Sequence, residues 1–526
     1  MGVHGWLLCG AKVVLYKSRT HLKIIAVASE TNPPARLKGS DEVAGISAFG
    51  AFIPRLRLSR KSVVDANAWF NSGLGGMAKG ERAMCNWDED SVTMAVAAAR
   101  DCLAGEDRAA LKGVQLASNT MPFADRQNST LIATALNLDD NISTLDLTAS
   151  QRVGTSGLAA ALEGMAGSGG PLLFLAADKR RTKAGAVQEL QFGDGAAALL
   201  LGAGDGVAKY LGSHTISVDF VDHYRGDGYA YDYNWEQRWI RDEGYLKIVP
   251  QALEGLFASS GVAPAEVDHF VMPCVLGRVP AMIAKKAGIG EAALRDTLHG
   301  VCGETGVAHP LVMLVDALQD AKAGDKILVV GFGQGCDALL FEATDGLAKL
   351  APRRGVKGSL KRRREETNYS KYLSFNNLIE MERGLRAEAD KQTPLTALYR
   401  NRDKVLGLIG GRCNVCGTVQ FPKTKICVNP NCHAMHSQDD QPFADMPGKV
   451  LTWSADHLTY TMDPPTHHGM VQFEEGGRFH ADFTDVDEGQ VDVAMAMEMV
   501  FRIKEIDADR GFRKYFWKAA PVAAAN

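Results

Sequence analysis

Between residues 43 and 345, short β-branched and apolar runs alternate with longer amphipathic stretches, the rhythm that strands and covering helices give an α/β fold. Residues 172–177 and 326–331 are continuous apolar runs bounded by charge or glycine, and they predict central strands buried on both faces. Over 91–103 and 310–323 the apolar residues return at three- and four-residue spacing with Asp and Lys opposite, which predicts helices. Residues 353–364 are strongly basic with little periodicity and predict an exposed loop or boundary; 369–400 regain a helical look. After Arg402 a period of two takes over, with strands predicted at 448–454, 469–473, 479–483 and 497–504, enough for a small barrel. The expected units are an α/β domain over 43–380, a helical linker over 381–405, a compact module over 406–440, a barrel over 441–518 and a tail over 519–526.

A chain of 526 residues with 46% apolar and 23% charged positions is long and apolar enough to bury sizeable cores, so disordered and fibrous classes are excluded for its bulk. Fifty-eight Lys and Arg against 62 Asp and Glu leave a net charge of −4. That balance carries no overall basic field, so no nucleic-acid partner is expected and any anionic ligand must be held locally. Apolar stretches break well before the roughly 18–20 residues of a membrane span, so no membrane partner is expected either. The apolar segment at 6–11 is interrupted by Lys12, Lys17, Arg19 and Lys23 before a signal core forms. A cytoplasmic protein is expected, with residues 1–42 an extension that folding and activity do not require.

Six cysteines, Cys9, Cys85, Cys102, Cys274, Cys302 and Cys336, are scattered, whereas Cys413-x2-Cys416 and Cys427-x4-Cys432 cluster within twenty residues. Two short-spaced thiolate pairs on neighbouring turns suit a tetrahedral Zn²⁺ site, and four cysteine ligands leave no open position, so the zinc would be structural. The second spacing is wider than the usual two, and His433 and His436 stand by as substitutes. Residues 400–518 resemble the zinc-ribbon plus OB-fold proteins that accompany thiolase-like enzymes, which implies an acyl-CoA-associated domain with a ribbon at 406–440 and an OB-fold at 441–518.

Residues 43–380 resemble the thiolase superfamily, most closely 3-hydroxy-3-methylglutaryl-CoA synthases of the archaeal type. The resemblance is carried by the entry 45–55, by Asp88-Glu89-Asp90-Ser91, by Gly193-Asp194-Gly195-Ala196-Ala197, by Gly303-Glu304-Thr305, by Gly331-Phe332-Gly333-Gln334-Gly335 and by Asn368-Tyr369-Ser370-Lys371-Tyr372-Leu373. It implies a five-layer αβαβα domain of two similar halves, paired as a homodimer or larger oligomer, although no internal repeat is visible in the residues.

The catalytic positions depart from that family. Its activated cysteine sits at the N-terminus of a buried helix, where the dipole favours thiolate. Placing Gly154-Thr155 on the family's glycine-threonine puts Gln151 there, and Gln is no nucleophile. Ser150 is adjacent, but neighbouring residues at a helix start point in different directions, which leaves a serine nucleophile as the lesser alternative. The family's loop asparagine is Glu304, and its histidine loop reads Phe270-Val271-Met272-Pro273-Cys274. Glu89 falls where the synthases keep a general acid/base glutamate, and the alternative is a helix-start carboxylate. His309-Pro310 resembles the Gly-His-Pro loop of degradative thiolases, one turn too far along, and is equally a cap for the helix that follows. Cys274 and Cys302 border the site as displaced nucleophiles or as ordinary core thiols. Arg278, Lys285 and Lys286 match a basic segment beside the family's pantetheine tunnel, and donors near Gly335 with the Gln151 amide would form an oxyanion site.

The expected activity is therefore an acyltransferase reaction that uses coenzyme A as cosubstrate, with Claisen or retro-Claisen chemistry on a β-keto acid or β-ketoacyl-CoA and no acyl-cysteine. Glu89, Gln151, Glu304 and His309 would carry it. Loading ketosynthases with Gln at the cysteine position offer a second reading, decarboxylation of a malonyl or β-keto acid. A non-catalytic acyl-CoA-binding scaffold is the third.

Overall fold

The computed structural model describes residues 44–522 except positions 205 and 389, together with three strands earlier in the chain. Those strands, Trp6–Leu8, Ala11–Lys17 and Leu22–Val27, form a separate antiparallel meander where the sequence predicted no element. Cys9 and positions 523–526 lie outside the described residues.

In the remaining body, nine strands form a mixed sheet: β1 Ala44–Phe52, β2 Gly113–Ala117, β3 Ser143–Leu147, β4 Leu172–Asp178, β5 Gly195–Ala203, β6 Ala208–Ser217, β7 His269–Val271, β8 Lys326–Phe332 and β9 Gly335–Ala343. Their order is β7-β8-β9-β6-β1-β5-β4-β2-β3. Only Ala208–Ile46 and Lys209–Gly45 join β6 to β1, so the sheet is two halves meeting at a seam. The halves have one topology. In β2-β4-β5-β1 the first pair is parallel and the rest antiparallel, and β7-β8-β9-β6 repeats that pattern strand for strand.

Helices complete five layers. Helix α1, Ser91–Cys102, covers the outer face of the first half, and α3, Leu246–Ser260, with α4, Val279–Ala287, covers the outer face of the second. Between the sheets lie α2, Val153–Ser168, and α5, His309–Leu318, in one core with the inner faces of both. Every residue of α5 is buried, as a helix enclosed between two sheets demands. It ends at Leu318, five residues short of the predicted limit, and the side chain of Gln319 just beyond it accepts from the backbone of Val356 and Lys357.

The basic run at 353–364 is not the exposed loop its composition predicts. Gly355–Lys361 is a short helix with Gly355, Val356 and Ser359 buried. The Arg353 guanidinium donates to the carbonyls of Phe49 and Cys102, and Arg354 pairs with Glu498. Two main-chain carbonyls and one carboxylate absorb these cations. Among the described residues, the linker at 381–405 is helical only at Leu385–Ala387, Leu395–Arg400 and Arg402–Val405.

Beyond it, β10 Ile409–Cys413, β11 Val419–Gln420 and β12 Gln438–Pro442 make a three-stranded antiparallel sheet. A second sheet follows: β13 Gly448–Asp456, β14 Thr466–Phe473, β15 Arg478–Asp482, β16 Ala496–Asp507 and β17 Phe512–Pro521, in the order β15-β14-β13-β16-β17. A parallel bridge from Phe483 to Ala519 brings its two edges together. Strand β17 runs to Pro521, into the segment predicted as tail. The core of this closed sheet, with Phe473, Phe501 and Trp517, is continuous with the layer around α1. Among the described residues no helix is long and apolar enough to cross a membrane.

Candidate active site

Helix α2 starts from a tight turn in which Ala149 takes a left-handed φ of 80°. Its first turn is tied down by Asp337, a buried carboxylate on β9 that accepts from Thr155 Oγ1 (2.9 Å), Ser156 Oγ (2.6 Å) and Thr215 Oγ1 (2.8 Å) and pairs with Arg152 (2.7 Å). Glycines bring the surrounding chain close. A Cβ at Gly154 would overlap the Val307 carbonyl oxygen, and one at Gly331 would overlap Thr155 Oγ1. The turn is thereby pressed against the loop that carries Glu304.

Gln151, partly exposed at the head of α2, donates from Nε2 to Glu304 Oε1 (3.1 Å). The other Glu304 oxygen accepts from Arg180 Nη1 (2.8 Å), and Arg180 also donates to Asp232 (2.7 and 3.1 Å) while its guanidinium lies 3.6 Å from the centre of the Phe192 ring. Burial opposes the Arg180 charge, but Glu304 and Asp232 outweigh it and hold the guanidinium protonated. Main-chain pairing fixes Glu304, whose N–H donates to Gln191 O (2.8 Å) and whose O accepts from Gly193 (2.9 Å). Gln151, Glu304, Arg180 and Asp232 are thus joined in one hydrogen-bonded row. The sequence reading missed Arg180 and Asp232. The only signal was a basic Lys179-Arg180-Arg181 run directly after a buried strand.

Other candidates are placed differently. His309 is fully buried: Nδ1 accepts from Thr305 N (3.1 Å) and Nε2 faces Thr297 O (2.8 Å), so it is neutral and spent on its own loop; burial pushes it below the usual imidazole range. Nor does it cap α5, whose start carries no side-chain cap; both ring nitrogens are taken up by the chain that precedes the helix. Burial pushes the Cys274 and Cys302 thiols up to about 12 each. Cys302 donates to the carbonyls of Leu298 (3.3 Å) and Gly303 (3.4 Å), so neither thiol is an activated nucleophile. Ser150 Oγ meets Gly333 O (3.4 Å). Gly333, rather than Gly335, lies against Gln151, since a Cβ there would come within 3.0 Å of the Gln151 Cβ, whereas Gly335 sits in β9 against Ile216. Arg278, Lys285 and Lys286 are exposed at the two ends of α4.

Glu89 belongs to a second, buried row. Its Oε2 accepts from Asn86 N (2.8 Å), and its Oε1 lies 2.9 Å from Arg502 Nη2 on β16. Burial raises this carboxyl to about 7 against the opposing pull of Arg502. The rows meet through consecutive residues, since Lys179 Nζ donates to the Glu89 carbonyl (3.0 Å) and Arg180 holds Glu304. Among the described residues no hydrogen bond or ion pair joins the Glu89 carboxyl itself to Gln151.

Cys413, Cys416, Cys427 and Cys432 present four sulfurs within 4.8 Å of one another, with Cys416–Cys427 at 3.6 Å and Cys413–Cys432 at 3.9 Å. Four thiolates about 2.3 Å from a tetrahedral Zn²⁺ would stand roughly 3.8 Å apart, so the set fits that ion. His433 and His436 are not members of it.

Residues 257–341 match the family described as 3-oxoacyl-[acyl-carrier-protein] synthase III C terminal. The chain is 30% identical over 350 residues to a hydroxymethylglutaryl-CoA synthase of Aeropyrum pernix, covering 65% of this chain and 96% of that protein. It is 28% identical over 350 residues to one of Methanocaldococcus jannaschii, covering 64% and 100%. A solved structure of MvaS in complex with 3-hydroxy-3-methylglutaryl coenzyme A shares the fold with a TM-score of 0.54 at 19% identity, over 77% of this chain and all of that one. With a duplicated five-layer body and this likeness along nearly the full length of its relatives, the chain belongs to the hydroxymethylglutaryl-CoA synthase family, enzymes of the thiolase-like superfamily.

Proposed function

We propose that this protein catalyses CoA-dependent acyl transfer at a carbon–carbon bond beside a ketone, acting on a β-keto acid or β-ketoacyl-CoA, without a protein-bound acyl group. The observation that carries the reading is the Gln151–Glu304 hydrogen bond. A carboxylate can only accept, so Glu304 fixes which way round the amide stands, with NH₂ toward Glu304 and one further N–H left for a substrate oxygen. An amide held this way can stabilise the oxyanion of a tetrahedral adduct but cannot take an acyl group. In the cleavage direction the CoA thiol would lose its proton to Glu89, and the sulfur would add to the ketone carbonyl. The carbon–carbon bond would then break, its electron pair passing to the α-carbon, which takes the proton back. The products are an acyl-CoA and the shortened partner, and condensation is the reverse. A carboxyl near 7 suits that shuttle. Exposed Arg278, Lys285 and Lys286 would meet the CoA phosphates.

The same reading takes the four cysteines as a structural zinc site and the closed five-stranded sheet as an OB-fold, supported by its strand order and parallel closure. It takes β3, which ends the body sheet with no further partner strand among the described residues, as the edge at which a second copy pairs.

Initial rates with CoA and a β-keto acid series should give intersecting, not parallel, double-reciprocal lines, and intact-protein mass after rapid quenching should show no acyl adduct. Parallel lines with an adduct on Ser150, Cys274 or Cys302 would restore a covalent route. Carbon dioxide release without CoA would favour decarboxylation instead, and CoA binding without turnover a scaffold.

A further inference from the structure

We infer that Arg502, carried by the C-terminal barrel, is a positioning residue that orients the Glu89 carboxyl and sets its protonation, so that the barrel supplies part of the acid/base apparatus of the body. The inference rests on the acid/base role proposed for Glu89.

Arg502 is 1% exposed and reaches out of β16 into the body. One nitrogen, Nη2, lies 2.9 Å from both Glu89 Oε1 and Asp485 Oδ2, and Nε lies 3.7 Å from Asp88 Oδ1. Oε2 accepts from Asn86 N in the body, while Oε1, which accepts no hydrogen bond, has the barrel's Arg502 as its ion-pair partner. Other charged groups face this cluster from each packed element. Lys179, Cys85 and Arg57 approach Glu89 from the body; Asp485, backed by Arg55 and Arg362, approaches from the barrel; Lys518 pairs with Asp88 at 2.8 Å.

Docking alone does not account for the arrangement. Taking a guanidinium and three carboxyls out of water is costly, and apolar side chains of similar volume commonly serve an interface as well or better. The barrel already has such an apolar contact with α1, and it has a second polar clasp in which Arg513 (2.6 Å) and Tyr515 (2.7 Å) hold Asp90. What Arg502 adds is a fixed cation beside one particular carboxyl, opposed by the like charges of Asp485 and Asp88. Removing the cation therefore raises the Glu89 pKa, and removing the Asp485 charge lowers it.

The test follows the Glu89 carboxyl band by infrared difference spectroscopy in the full-length protein, assigned by its loss in Glu89→Gln, alongside the pH profile of kcat. Arg502→Gln should move the band's midpoint to higher pH by about one unit or more and carry the acid limb of kcat with it, because a base must be ionised to act. Arg502→Lys should restore part of the shift, and Asp485→Asn should move both midpoints down. A midpoint unchanged in Arg502→Gln and Asp485→Asn, with the barrel shown to stay docked by hydrogen exchange, overturns the inference. If Arg502→Gln does not fold, the downward shift in Asp485→Asn decides alone. Full turnover in Glu89→Gln would instead sink the acid/base role, while the infrared midpoint still reports whether Arg502 governs the carboxyl.

Discussion

Gln151 and Glu304 are a bonded pair. Each stands out in the sequence against the family resemblance, but a separation of 153 positions hides the hydrogen bond that joins them. Arg180 was hidden for another reason: a cation beside two more cations reads as solvated surface until burial and two carboxylate partners are known. His309 misled because a His-Pro pair at a helix start serves a loop as readily as a substrate, and here the loop takes both ring nitrogens. The pairing makes a test of the proposed Gln-for-Cys replacement specific. Gln151→Cys places a thiol beside a carboxylate that disfavours the thiolate, so acylation by acetyl-CoA should be slow. Adding Glu304→Asn removes that charge and should speed acylation by about tenfold or more, the effect of roughly one pKa unit on thiolate population. Time-resolved intact mass measures both rates. Equal rates would mean that Glu304 does not set the electrostatics of this position.

At the helices and strands, legibility followed burial. Strands β4 and β8 were readable because a strand covered on both faces must be apolar throughout, and β14 because one covered on one face alternates, with every second residue buried. The duplication of the body escaped the sequence since what repeats is strand order and direction; α2 and α5 occupy equivalent places yet begin with unrelated residues. The close approach of α2 to the Glu304 loop is equally silent in composition, resting as it does on one glycine. Gly154→Ala would drive a methyl group into the Val307 carbonyl. The helix cannot yield without breaking its Asp337 anchors, so the substitution should cost about 1–3 kcal/mol in chemical denaturation and weaken activity by loosening the Gln151–Glu304 contact. A variant as stable and active as the parent would show that the turn and the helix move apart freely.

For the molecule as a whole, three charged residues in sequence, Asp88, Glu89 and Asp90, do what the motif alone did not foretell. Asp90 caps α1 by accepting from Thr93 N and also holds Arg513 and Tyr515, while Asp88 and Glu89 receive Lys518 and Arg502. A helix-start motif thus became the seat of the barrel, invisible until residues some 400 positions away are folded onto it. The cysteine module was legible for the opposite reason, since its four cysteines lie within twenty residues and sulfur spacing is a local property. It is also joined to the barrel: Phe421 packs on Phe443 and Phe479, and Phe443 on Phe473. Metal removal should therefore travel in one direction. Chelation should release about one Zn²⁺ per chain and raise hydrogen exchange over β10, β11 and β12, then over β15 through the Phe479 contact, while β4 and β8 in the body keep their protection. Cys416→Ser, which removes the most exposed ligand, should give a milder version of the same map. Uniform loss of protection in the body would mean that the barrel and its module are required for the thiolase-like domain to stay folded, and no release of zinc would remove the metal from the account.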